Sequence, residues 1–125
     1  MNKQQLLDLL KSLKIDCDEF TIISSSALLL RDICDSAGDL DISVTQKGLE
    51  QLKQNYSLRK IEEGHYIINE YVECILEDMT NRKVKYGEYF LQEINDYLAY
   101  LKKSKREKDK ARIPIVEEYI KRCGE

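Results

Sequence analysis

The sequence has few of the residues that mark several common protein classes. It contains no tryptophan, one proline, one histidine and five glycines. No apolar run approaches the roughly 20 residues that a membrane-spanning helix needs, so we predict no such helix. Residues Met1–Gln5 also lack the apolar core of a signal peptide, and we therefore expect a cytoplasmic location.

The four cysteines are not arranged as metal ligands usually are. Cys17, Cys34, Cys74 and Cys123 are far apart and form no Cys-x-x-Cys pair, which argues against a zinc site. Two disulfides are an alternative, but they require an oxidising compartment. Without a secretory signal, we predict free thiols that are mostly buried.

The composition is that of one globular domain spanning residues 1–125. Apolar residues make up 42% and charged residues 34%, with a net charge of −3. The charge is unevenly distributed, because Lys102–Arg112 contains seven basic and two acidic residues. This segment could bind phosphate, or it could dock against the acidic remainder of the protein.

The most informative stretch runs from Phe20 to Val44. It is typical of an apolar strand, a turn of three serines, a short apolar helix, a loop and a second strand. Side chains alternate between the two faces of a strand, so Asp39 and Asp41 should point the same way. Two carboxylates this close repel each other unless they are solvated or share a cation.

This order of elements resembles the nucleotidyltransferase superfamily, which includes DNA polymerase beta and many small bacterial members. The family pattern is an apolar strand, a Gly-Gly or Gly-Ser turn, about a dozen residues, and Asp-apolar-Asp on the next strand. Here Ser24, Ser25 and Ser26 stand at the turn, and Asp39-Leu40-Asp41 stands at the acidic motif. The segment Arg106–Asp109 is similar to the basic-acidic segment that precedes the last helix in small members.

The predicted fold is α/β, a small mixed sheet of four to five strands flanked by helices. Helices are expected over 3–13, 26–33, 46–55 and 88–103, followed by a last helix with Pro114 in its first turn, so that the C-terminal helices occupy about 88–122. Short strands are expected over 57–61, 66–69 and 71–76. Their tight connections predict antiparallel pairing, whereas the first two strands, joined by a helix, are predicted to be parallel.

Hard carboxylate oxygens are the ligands that magnesium prefers. We predict that Asp39 and Asp41 bind Mg²⁺, with two ions as in two-metal phosphoryl transfer. Glu73, a lone charge in an apolar strand, is the candidate third ligand; the alternative is that it faces solvent on an edge strand. Glu77 and Asp78 are the next candidates.

Nucleotide-binding residues are predicted at two places. Ser24, Ser25 and Ser26 could bind the phosphates of a nucleoside triphosphate at a helix N-terminus, although a serine there could also simply cap the helix. The positive charges of Lys102 and Arg106, with Lys103 and Lys108 beside them, could neutralise the triphosphate or merely form a solvated helix end.

His65 is interpreted as an exposed hairpin residue rather than a catalytic base. The eight tyrosines fall mostly at core spacing, so no base-stacking surface for nucleic acid is predicted.

Two functions follow from these residues and the resemblance, and nucleotide binding without turnover is a third possibility. The first is a metal-dependent nucleotidyltransferase, which moves a nucleoside monophosphate from a nucleoside triphosphate to a protein hydroxyl, a small molecule or an RNA end. The alternative is a non-catalytic member that binds a partner protein, such as an antitoxin. Nothing in the sequence chooses the acceptor, and nothing in it specifically supports nucleic acid.

Overall fold

A computed structural model describes residues 1–76 and 82–123. Within these ranges it has five α-helices and seven strands. The helices are α1 Lys3–Ser12, α2 Ser24–Leu30, α3 Gln46–Asn55, α4 Ile94–Lys103 and α5 Glu107–Cys123. The strands are β1 Phe20–Ile23, β2 Leu40–Val44, β3 Arg59–Glu62, β4 His65–Asn69, β5 Val72–Leu76, β6 Lys83–Tyr86 and β7 Tyr89–Gln92.

All seven strands form one mixed sheet in the order β3-β4-β5-β2-β1-β7-β6. The β3-β4-β5 and β6-β7 connections are antiparallel, whereas β2 pairs with β5, and β1 with β7, in parallel. The mixed α/β sheet flanked by helices is therefore confirmed. The expectation of four to five strands is not, because the described residues contribute seven.

The predicted parallel pairing of the first two strands is wrong, since β1 and β2 are antiparallel with Ile23 opposite Asp41. The serine turn explains the difference. The Ser26 hydroxyl donates to the Ile23 carbonyl at 2.8 Å and accepts from the Asp41 backbone N–H at 3.1 Å. These bonds hold the start of β2 beside the end of β1, so β2 runs back along its neighbour.

Two apolar clusters support the sheet. The larger one joins the apolar sides of α1 and α3 to one face of the central strands; its fully buried members include Leu6, Leu52, Ile22, Leu40 and Ile42. The smaller one joins α2, α4 and α5 through Leu28, Tyr97, Leu101 and Val116. Because α4 and α5 pack on α2 rather than across the sheet, part of the other sheet face remains open.

Local sequence signals account for the starts of α1 and α3, the two helices of the larger apolar cluster. Asn2 and Gln5 form a reciprocal capping box at α1. Thr45 caps α3 as predicted, because its hydroxyl accepts from the Gly48 N–H at 3.0 Å. The bounds of α3 match the predicted 46–55.

The C-terminal part differs most from the prediction. The second strand of the β6-β7 hairpin, β7, occupies the place of the first turn of the predicted 88–103 helix. Gly87, at φ +59°, supplies the left-handed residue that this tight turn requires. The prediction for Pro114 is also wrong, because α5 begins at Glu107 and Pro114 lies inside the helix.

Two expectations about location and cysteine chemistry can be compared with the structure. Over residues 1–76 and 82–123, no helix has both the length and the apolar character needed to cross a membrane. All four cysteines are free, as predicted. The prediction that most are buried is wrong: Cys74 is buried, Cys17 and Cys34 are half-buried, and Cys123 is exposed.

Candidate active site

A cleft opens between the polar face of the central strands and the α4–α5 helix pair. It consists of two adjoining cavities of about 210 and 500 Å³. The residues that line both come from the serine turn, the start of β2 and the two C-terminal helices: Ser24, Asp39, Asp41, Tyr97, Tyr100, Arg106 and Lys108. The cleft therefore brings together acidic, basic and aromatic side chains from distant parts of the chain.

Three of the predicted acidic residues meet in this cleft. Asp41 on β2 is paired directly with Glu73 on the parallel strand β5, so the two side chains emerge side by side from one sheet face. Asp39 lies just before β2 and is exposed at the cleft entrance. The alternative of Glu73 on an edge strand does not hold, because β5 is an interior strand between β4 and β2.

Asp41 has the most unusual electrostatic environment of the three. Burial raises the pKa of its carboxyl from 3.8 to about 6, and repulsion by Glu73 and Asp39 adds to the rise; the positive charge of Lys108 opposes it. Among the described residues, no lysine or arginine forms an ion pair with Asp39 or Asp41. The charge of Asp41 is thus only weakly compensated by the protein.

Glu73 is held by His65, which the sequence predicted to be an exposed hairpin residue. The His65 imidazole lies on β4, and its Nε2 is 3.2 Å from Oε2 of Glu73. The other ring nitrogen faces Glu62 at 3.7 Å. His65 does follow the hairpin turn, but it is half-buried in the cleft wall, so the prediction of an exposed hairpin residue is wrong.

The acidic residues do not form a preformed metal cage. In the part of the chain that the structure describes, no group of three or more His, Cys, Asp or Glu side chains is arranged to hold a metal ion. Magnesium usually takes only one or two carboxylates and completes its shell with water and substrate phosphates. The pair Asp41 and Glu73, with Asp39 nearby, suits that mode of binding. Glu77 and Asp78 lie outside the described residues.

The serine turn contributes two side chains to the cleft. Ser24 and Ser25 line it, and the Ser24 N–H is 3.5 Å from Oε1 of Gln92. Ser26, predicted with them, is fully buried and does not line either cavity, because its hydroxyl joins Ile23 to Asp41. No serine side chain caps α2 either; the N-cap residue is Ile23.

Ser24 adopts a left-handed backbone conformation, with φ +58°. L-residues with a side chain pay roughly 1–2 kcal/mol there, whereas glycine does not. Ser24→Gly should therefore raise the free energy of unfolding by about 0.5–1 kcal/mol. Urea denaturation measures this, with Ser25→Gly as the matched control.

Ser25 lies in α2 without a left-handed φ, so glycine there should cost about 0.5–1 kcal/mol. We therefore expect Ser24→Gly to raise the free energy of unfolding and Ser25→Gly to lower it. Equal destabilisation by both substitutions would contradict backbone strain at Ser24.

The basic segment contributes only some of its residues. Arg106 and Lys108 line both cavities, and Arg112 lines the smaller one. Lys102, predicted to bind nucleotide, is exposed on α4 and does not line either cavity. Only the part of the basic segment at the start of α5 therefore lies opposite the carboxylates.

Two aromatic residues of the cleft were not among the predicted site residues. Tyr97 and Tyr100 line both cavities. The helical spacing of Tyr97 indicated a core residue, which it is, and the pattern gave Tyr100 no role. Only the position of α4 beside the cleft could have identified them.

Comparisons with protein-family models, with curated proteins and with solved structures found no match to this chain.

Proposed function

We propose that this protein is a metal-dependent nucleotidyltransferase that moves a nucleoside monophosphate from a nucleoside triphosphate to an acceptor hydroxyl. The observation that supports this most is the pairing of Asp41 with Glu73 on adjacent parallel strands, facing a cleft with Asp39 at its entrance. The resemblance of the Phe20–Val44 segment to the nucleotidyltransferase superfamily agrees with it.

The charges on the two sides of the cleft suit a triphosphate with magnesium. Asp39, Asp41 and Glu73 would hold the metal, and bound Mg²⁺ would neutralise the phosphates and align them for displacement. Arg106 and Lys108 face the carboxylates from α5 and its N-terminal end. They would bind phosphate oxygens, and Ser24 and Ser25 would contact the phosphates from the serine turn.

The reaction is a displacement at the α-phosphorus. The acceptor oxygen forms the new P–O bond, the bond from the α-phosphorus to the bridging oxygen of the β-phosphate breaks, and pyrophosphate leaves with that electron pair. The acceptor proton passes to the Glu73 carboxylate, whose orientation is fixed by His65. The protein itself contributes position and charge, which is most of what this chemistry requires.

Asp39→Asn tests the proposal by calorimetry. The wild type should bind ATP with Mg²⁺, and Asp39→Asn should weaken that binding at least about tenfold, because it removes a charge that would hold the metal. Asp39 is exposed, so the fold should be unaffected. Asp8→Asn makes the same chemical change on α1, outside the cleft, and should bind as the wild type does.

Labelled ATP, incubated with protein, nucleoside and RNA acceptors, then tests transfer of the monophosphate. Absence of heat from wild type and Asp39→Asn alike would refute nucleotide binding and with it the enzyme.

Partner binding is the second candidate, and the sheet edges favour it. β3 and β6 end the strand order, and their side chains are almost all exposed. An edge strand can pair with a strand of another chain. A partner protein that binds β3 or β6, with no effect of Mg²⁺ and ATP, would favour an antitoxin-like role over catalysis.

A further inference from the structure

Tyr97 and Tyr100 form a stacked aromatic pair beside the carboxylates. They are three residues apart on α4, their ring centroids are 6.2 Å apart, and the ring planes differ by 13°. Residues i and i+3 lie on neighbouring positions of one helix face. The two rings are therefore nearly parallel neighbours on one face of α4 at the edge of the cleft.

The inner ring of this pair is fixed in place. Tyr97 is only 3% exposed and belongs to the apolar cluster of α2, α4 and α5. Its hydroxyl oxygen accepts from Nη1 of Arg112 at 3.1 Å, which sets the ring orientation. Tyr100 lies against this fixed ring, so it loses little freedom when a further ring stacks on it. The Tyr100 ring is therefore preorganised for stacking.

The outer ring remains available. Tyr100 is 49% exposed, yet it lines both cavities. Exposure of one tyrosine alone needs no explanation, and Tyr71, 52% exposed, lines neither cavity. What distinguishes Tyr100 is its place on the same cleft wall as Arg106 and Lys108, opposite Asp41.

We propose that Tyr100 stacks against the base of the nucleotide whose phosphates bind at the carboxylates, an inference that rests on the proposed function. A nucleotide joins a planar aromatic base to a chain of anionic phosphates. The cleft offers the exposed ring of Tyr100 together with cationic and acidic side chains. Base stacking on an aromatic side chain accepts any base, so the recognised class is a nucleoside triphosphate rather than one particular base.

The test compares two ligands, one with and one without a nucleoside. Calorimetry with Mg²⁺ measures ATP and inorganic tripolyphosphate against the wild type, Tyr100→Ala and Tyr100→Phe. Tyr100→Ala should weaken ATP binding about tenfold and leave tripolyphosphate binding unchanged. Tyr100→Phe keeps the ring and should bind both ligands as the wild type does. Tyr71→Ala, a matched change of an exposed tyrosine outside the cleft, should also have no effect.

The outcomes separate this inference from the proposed function. Equal ATP affinity in the wild type and Tyr100→Ala, with tripolyphosphate still bound, would refute stacking and leave the nucleotidyltransferase proposal standing. Equal weakening of both ligands by Tyr100→Ala would show an effect on the phosphate end and would also refute stacking. If the wild type binds neither ligand, both proposals are wrong.

Discussion

Gly48→Ala should lower the free energy of unfolding by about 2–3 kcal/mol, although alanine is the better helix former. Gly48 lies in the first turn of α3, where a Cβ atom would stand 2.6 Å from the Glu19 carbonyl oxygen and 3.1 Å from Cδ1 of Ile15. Both the carbonyl and α3 belong to rigid backbone, so neither can move aside easily. The clash should outweigh the gain of about 1 kcal/mol from helix propensity. Urea denaturation measures the loss, and a thermal melt should show a midpoint lower by about 10 °C.

Gly38→Ala is the control for this substitution. A Cβ atom at Gly38 meets nothing within 4 Å, and its φ is not left-handed. Alanine there should be neutral or should stabilise by about 0.5 kcal/mol, because it restricts the unfolded chain. If Gly48→Ala proved as stable as Gly38→Ala, α3 would have to pack less closely against Glu19 than described.

The parts of the fold that could be predicted from the sequence are those whose secondary structure is determined by one local signal. The apolar run of β1 and the Thr45 cap of α3 are each compatible with one secondary structure, and both elements agree with the prediction. Tyr89 and Leu91 show the opposite case. They alternate as strand residues do, but Leu91 also continues the helical spacing of α4, and only pairing with β1 and β6 resolves the choice.

The acidic residues were predictable because strand alternation fixes where their side chains point. Asp41 follows this rule, and Glu73 does so once β5 is known to lie beside β2. The pairing itself was not predictable, because nothing local states which strands are neighbours. Ser26 and Lys102 show the same limit. Their residue types suit phosphate, but only the fold decides that Ser26 joins two strands and that Lys102 lies outside the cleft.

Tertiary position also decides what His65 does. One histidine beside a glycine turn resembles an exposed hairpin residue, and no spacing links it to Glu73. The antiparallel pairing of β4 with β5 sets its ring against the Glu73 carboxylate. Among the residues that the structure describes, the other oxygen of Glu73 has no hydrogen-bond partner, so it can bind a ligand in the cleft.

The burial of Asp41, together with repulsion from Glu73 and Asp39, leads to the second of the two largest predicted effects: Asp41→Asn should stabilise the metal-free protein by about 1–2 kcal/mol at neutral pH. In the fold the pKa of Asp41 is raised to about 6, from 3.8. Between those values the folded protein keeps a proton that the unfolded chain releases, so stability falls as pH rises through this window and the full penalty applies above pH 6. Each pKa unit corresponds to about 1.4 kcal/mol, reduced here because Asp41 is partly solvated.

Urea denaturation without divalent ions should therefore show a gain for Asp41→Asn at about pH 7.5 that vanishes near pH 4, below which both states of the wild type are protonated. Asp8→Asn, which changes an exposed carboxylate that accepts from Gln4, should change stability little at either pH. The same Asp41→Asn variant should lose the stabilisation that Mg²⁺ and ATP give the wild type, because it removes a charge that the metal would neutralise. A large loss of stability at neutral pH would instead make Asp41 a structural residue, and its metal-binding role would have to be withdrawn.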